Sequence, residues 1–202
     1  ASDVYKRQVI NIKRGHYEFD MKGQEGACIG SVNGDSELFI EYCDMDIYSG
    51  ISNGTIIGSV NGDADIKLEN ISAKLQGAGN VITGIGTIAG NSCMVRLENV
   101  NISSNIRAKE CYGIGCRAGK TDIYIGYAAV KSVVQGKSAV AFGNSVMSAK
   151  LYCSNADVGT NAVTEFNSDI GALEKNIQLE NGRAEFILNG QEVKRQILAA
   201  RL

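Results

Sequence analysis

Along most of the chain apolar and polar residues alternate, and the alternation returns in phase at a long, fixed interval. Ile10 and Ile12, Leu38 and Ile40, Ile66 and Leu68, Val95 and Leu97, Ile123 and Ile125, and Leu151 and Cys153 each flank one outward residue. A second run follows each pair: Cys43, Met45 and Ile47; Ile71, Ala73 and Leu75; Val100, Ile102 and Ser104; Ala128, Val130 and Ser132; Ala156, Val158 and Thr160; then Ala184, Phe186 and Leu188. A period of two marks a strand with one buried face. A third short strand leads into a glycine, with Ile29, Ile57, Ile85, Ile114, Phe142 and Ile170 turned inward.

Those glycines are Gly30, Gly58, Gly86, Gly115, Gly143 and Gly171, at spacings of 28, 28, 29, 28 and 28. The phrase Ile29-Gly30-Ser31-Val32-Asn33-Gly34-Asp35 recurs as Ile57-Gly58-Ser59-Val60-Asn61-Gly62-Asp63, and more weakly as Ile85-Gly86-Thr87-Ile88-Ala89-Gly90-Asn91. Repetition at a fixed period of this length marks a solenoid. Strands stacked parallel and in register put like residues on like, about 4.8 Å apart, so every inward column stays apolar. A sandwich of hairpins needs no such period, and frequent glycine argues against helical repeats. The predicted fold is all-β: a right-handed parallel β-helix over residues 9–190, with three strands per turn and about six turns. The glycine columns mark corners that need positive φ or close backbone approach. Asn33-Gly34 and Asn61-Gly62 carry a turn signal at one such corner.

The segment from Val193 to Leu202 has apolar residues at helical spacing, which predicts a short helix or irregular cap within 191–202. The first turn has no comparable cap. That fits a fragment whose preceding turns or domain lie outside the sequence.

Composition narrows the function classes. The chain has 202 residues, 24 glycines, no proline and no tryptophan. A missing proline suits continuous ladder pairing. A net charge of −2 provides no basic field for nucleic acid. No apolar run approaches the roughly 18 residues of a membrane span. The six cysteines form no C-x-x-C pair and the one histidine is His16, which is no zinc set. Buried thiols acting as small hydrophobes are the better reading. Six unpaired cysteines favour a reducing or anaerobic setting, with bacterial cell surface and cytoplasm both open.

Candidate chemistry lies on outward columns. Phe39, Lys67, Arg96, Tyr124 and Tyr152 form one, and Glu41, Glu69 and Glu98 lie two residues on. Together they are candidate ligand-binding residues, since aromatic rings stack on sugars and charges bond hydroxyls. The plainer reading carries more weight: a solvated face with diagonal Lys/Arg–Glu pairs, each worth under about 1 kcal/mol. Repulsion among stacked glutamates raises a carboxyl pKa, as acid catalysis wants. Yet these glutamates are repeat-generated, and active sites usually depart from a repeat. No catalytic residue is assigned, and the chain leans away from being an enzyme. Asp35 and Asp63 stack at a corner, but Lys120 interrupts the column, so no metal site and no cofactor are assigned. His16 has no nucleophile placed for a triad. Gly113-Ile114-Gly115 and Gly119-Lys120-Thr121 lack the loop-to-helix context of a phosphate loop.

The repeat phrases resemble glycine-rich right-handed parallel β-helix repeats of bacterial proteins, over residues 9–190. The resemblance implies a pectate-lyase-like superfold, found in enzymes, adhesin-like surface proteins and appended regions of larger chains. No lyase motif can be placed. Residues 2–8 resemble a translated sequencing-adapter remnant of metagenomic data, so 1–8 is expected to be a non-native leader. The expected function is a non-catalytic scaffold or binding region of a larger bacterial protein, adhesin-like, meeting glycan or protein through a flat face. The alternatives are a polysaccharide lyase or hydrolase, and a sensor or display region of an intracellular regulatory protein.

Overall fold

The computed structural model describes residues 7–144, 149–165 and 177–198. They form eight strands: β1 (Gln8–Asn33), β2 (Ser36–Asn61), β3 (Ala64–Gly126), β4 (Ala129–Gly136), β5 (Ser138–Gly143), β6 (Ala149–Thr164), β7 (Ile177–Leu188) and β8 (Gln191–Leu198). The sheet order is β1-β2-β3-β4-β6-β7-β8, with β5 on β3 and β3 also meeting β6. Pairing is parallel from β1 through β7. The chain is therefore a β-solenoid of about six turns, repeating about every 28 residues. Corners bend the backbone without always breaking the ladder, and β3 runs 63 residues unbroken. Among the described residues no helix is long and apolar enough to cross a membrane.

Like stacks on like, as the period requires. Ile29 pairs with Ile57 and Ile57 with Ile85; Leu38 pairs with Ile66; Ile123 pairs with Leu151. These residues form one continuous core. Ile170 and Gly171 lie outside the described residues.

Three devices hold the corners. The anchor glycines have φ of 137° at Gly58 and 140° at Gly86, and a Cβ on Gly58 would run into the Gly86 carbonyl oxygen. The next residue ties the corner: Ser59 Oγ donates to Gly34 O at 2.8 Å and Thr87 Oγ1 to Gly62 O at 2.7 Å. In the fifth turn Asn144 Nδ2 takes over, donating to Gly119 O at 2.8 Å. Aspartate then links the turns. Asp35 Oδ1 accepts from Asp63 N at 2.9 Å, and Asp63 Oδ1 accepts from Asn91 N at 2.7 Å and Ser92 N at 3.0 Å. The extra residue of the 29-residue spacing is housed here. The stacked aspartates thus serve backbone donors, and among the described residues no group of three or more His, Cys, Asp and Glu side chains is placed to hold a metal.

A further corner went unforeseen in the sequence. Arg14, Tyr42, Asn70, Asn99, Tyr127, Asn155 and Asn181 all adopt left-handed backbone, with φ between 47° and 58°. Asparagine tolerates this conformation best among residues with side chains. It also ladders: Asn99 Nδ2 donates to Asn70 Oδ1 at 2.6 Å, and Asn181 Nδ2 to Asn155 Oδ1 at 2.9 Å.

Two expectations are corrected near the C-terminus. Of the short helix or irregular cap predicted within 191–202, the helix is corrected: residues 191–198 are β8, an antiparallel strand returning along β7 from Gly182↔Leu198 to Leu188↔Gln191. Turn residues Asn189 and Gly190, both with positive φ, make the hairpin, and strand pairing overrides the helical spacing. Residues 199–202 lie outside the described residues. The last turn is also shorter than 28 residues: Val158 pairs with Ala184 and Thr160 with Phe186, a register of 26. A slip of two keeps every side chain on its face, so Ala184 and Phe186 remain fully buried.

Candidate functional site

The face defined by Phe39, Lys67, Arg96, Tyr124 and Tyr152 is flat because parallel strands present one outward residue per turn at each position. Asn11, Phe39 and Lys67 are in register, as are Tyr124, Tyr152 and Gln178. A groove of about 670 Å³ runs over this face, and its lining includes Lys67, Glu69, Arg96, Glu98, Tyr124 and Tyr152. Phe39 and Glu41 fall in an adjoining depression of about 150 Å³ with Asn11 and Lys13. Lys67 and Glu69 line both, so the eight residues singled out in the sequence share one continuous track.

Within the track the cations are engaged by the same face. Lys13 Nζ meets Glu41 Oε1 at 2.7 Å, Lys67 Nζ meets Glu69 Oε2 at 2.7 Å, and Arg96 meets Asp65 Oδ1 at 2.7 Å. Two of the three join neighbouring turns, and the Lys67 pair lies within one. Exposed pairs like these contribute little stability, yet they set the local field. The Lys13 hydrogen bond holds the Glu41 carboxyl below its ordinary pKa, with Lys67 and Arg14 adding to the effect. At Glu41 the direction is therefore opposite to the one glutamate repulsion gives, because the Lys13 ammonium bonds this carboxylate directly. The same logic lifts Lys67, chiefly through its bond to Glu69.

Tyr124 and Tyr152 stack on each other, with centroids 4.9 Å apart and planes 5° from parallel. Their facing surfaces are therefore occupied. What they offer a ligand is the solvent-facing part of each ring, with Tyr124 exposed and Tyr152 half-buried. Gly126 interrupts the glutamate column beside them, and a Cβ there would strike the Glu98 carboxylate, which leans over the glycine.

Sequence reasoning missed two lining residues of the groove and two exposed tyrosines at the neighbouring corner. Gln178 and Glu180 line the groove, but the 26-residue register of the last turn moved them off the expected offsets. Tyr42 and Tyr127, at the left-handed corner beside the track, are 53% and 64% exposed. The signal for that corner was the recurrence of Asn at 70, 99 and 155.

The six cysteines are free thiols, all buried but Cys28, which is half-buried. Burial raises their pKa, to about 11 at Cys111 and about 12 at Cys153. Such thiols pack and do not react.

No protein-family model, no curated protein and no solved structure matches this chain. What the fold itself defines is a β-solenoid protein with a grooved flat face.

Proposed function

We propose that the chain is a non-catalytic β-solenoid binding region of a larger bacterial protein, and that its flat face holds a glycan. The observation that carries this reading is the track itself, in which the stacked Tyr124–Tyr152 pair borders alternating hydrogen-bonding charges along a groove of about 670 Å³. Exposed aromatic rings suit the apolar faces of sugar rings, and paired carboxylates and cations suit hydroxyls. Two features support binding over cleavage. General acid catalysis wants a carboxyl with a raised pKa, whereas Glu41 is lowered and Glu69 is ion-paired to Lys67. Lyase chemistry on acidic sugars wants free cations, and Lys13, Lys67 and Arg96 are each paired.

The test is a glycan array probed with the wild type and with Tyr124→Ala and Tyr152→Ala, joined to a reducing-end release assay on every glycan bound. Binding by the wild type, its loss in both variants and no sugar release are expected. Release that disappears in Glu69→Gln or Glu98→Gln would make the protein an enzyme. An array without hits would remove the glycan reading.

A further inference from the structure

The left-handed corner holds a pattern that the fold does not require. Four of its seven members are asparagine, the residue that suits this backbone and ladders from turn to turn. Tyr42, at φ 58°, and Tyr127, at φ 47°, are bulky residues in a conformation that disfavours them. Burial does not offset that cost, because both rings stand mostly in solvent. Each follows an exposed strand aromatic by three residues: Phe39 before Tyr42, and Tyr124 before Tyr127. The two turns between carry Lys67 with Asn70 and Arg96 with Asn99, so the pairs stand three turns apart, about 14 Å along the axis. The two depressions of the flat face join between them. Arg14 lies 5.8 Å from the Tyr42 ring centroid and steadies that ring at the corner.

We infer that the ligand is a neutral, linear saccharide chain lying along the solenoid axis and gripped at two places, by Phe39 with Tyr42 and by Tyr124 with Tyr127. This rests on the glycan reading above. Neutrality follows from the ion pairing, which leaves the cations of the track already matched by carboxylates. Linearity follows from the geometry, since Phe39 and Tyr124 hold the same repeat position on one outward column, and Tyr42 and Tyr127 the same position at the adjoining left-handed corner. Arg14 takes the same backbone, at φ 52°, and lies against Tyr42, so the exposed strain that a binding contact explains best is that of Tyr127.

The experiment is isothermal titration of the full chain with cello-, xylo- and manno-oligosaccharides from dimer to octamer, with an oligogalacturonide series as the acidic counterpart. Tyr42→Asn and Tyr127→Asn are the variants, each installing the residue that the same corner carries at 70 and 99, with folding checked by circular dichroism. For one neutral series, affinity is expected to rise with length until the chain spans both grips and then to level. Either variant is expected to abolish that rise, weakening the longest oligomers about tenfold and leaving the shortest little changed. Saturation at a length that fills only the Tyr124 groove, with Tyr42→Asn harmless, would overturn the two-grip inference and leave the glycan reading standing. Tighter binding of oligogalacturonides would overturn neutrality. A wild type that binds no oligosaccharide would overturn both.

Discussion

The corner at Asn70 and Asn99 and the corner at Tyr127 have the same backbone and opposite relations to the repeat. At the first, left-handed φ is met by asparagine, and the two side chains bond each other at 2.6 Å. At the second, the same φ is imposed on a tyrosine that is 64% exposed, next to Gly126, where the glutamate column stops. One corner is explained by the needs of stacking. The other carries side chains that stacking does not ask for. Repeat-obeying residues build the solenoid, and residues that break the repeat on its outer face are free to do something else.

The comparison breaks most visibly at the glycines. Gly58→Ala puts a Cβ into the Gly86 carbonyl at positive φ and is expected to cost at least about 3 kcal/mol in denaturant titration. Gly159 has φ outside that region and open space around it. There alanine is expected to be neutral or stabilising by about 0.5 kcal/mol. If both alanines cost the same, the corner glycines are not specified by close approach. Removal of the fully buried Phe186 ring by Phe186→Ala is expected to cost about 3–5 kcal/mol, which would confirm that the 26-residue last turn keeps its inward face. Asp63→Ala removes the acceptor of two backbone N–H groups and is expected to cost about 1–2 kcal/mol. Asp35→Ala removes the acceptor of one and is expected to cost less.

Smaller effects depend on pH. The Cys111 and Cys153 thiols have pKa values raised in the folded state, to about 11 and about 12. Their contribution to stability is full below the unfolded thiol value of about 8.5 and is lost as pH rises through the folded values. Stability is therefore expected to fall across that alkaline window, with a shallower slope in Cys153→Ala. At the exposed end of the scale, Lys13→Ala is expected to return the Glu41 titration, followed by NMR, toward the ordinary carboxylate range. In the wild type the Glu41 contribution is present above that range and is lost as pH falls through its lowered value.

Most of the fold was legible because it is written in period two inside a longer period. Inward columns such as Ile29, Ile57 and Ile85 announced themselves, and the structure stacks them as read. The left-handed corner was hidden because Arg14, Tyr42 and Tyr127 interrupt its asparagines. The β8 hairpin was hidden because spacing of three and four in a short apolar segment does not reveal an available strand edge, and pairing with β7 prevailed. The flat face was legible residue by residue. Its depth was not, since the groove depends on Gly126, on the Tyr124–Tyr152 stack and on the register that brings in Gln178.

The most direct test of the division between repeat-obeying and repeat-breaking residues is the denaturation free energy of Tyr127→Asn. Asparagine relieves the strained tyrosine and can ladder with Asn99 and Asn155. The variant is expected to be as stable as the wild type or more stable by up to about 1 kcal/mol. A loss of more than about 1 kcal/mol would show that Tyr127 serves the fold, and would contradict the division.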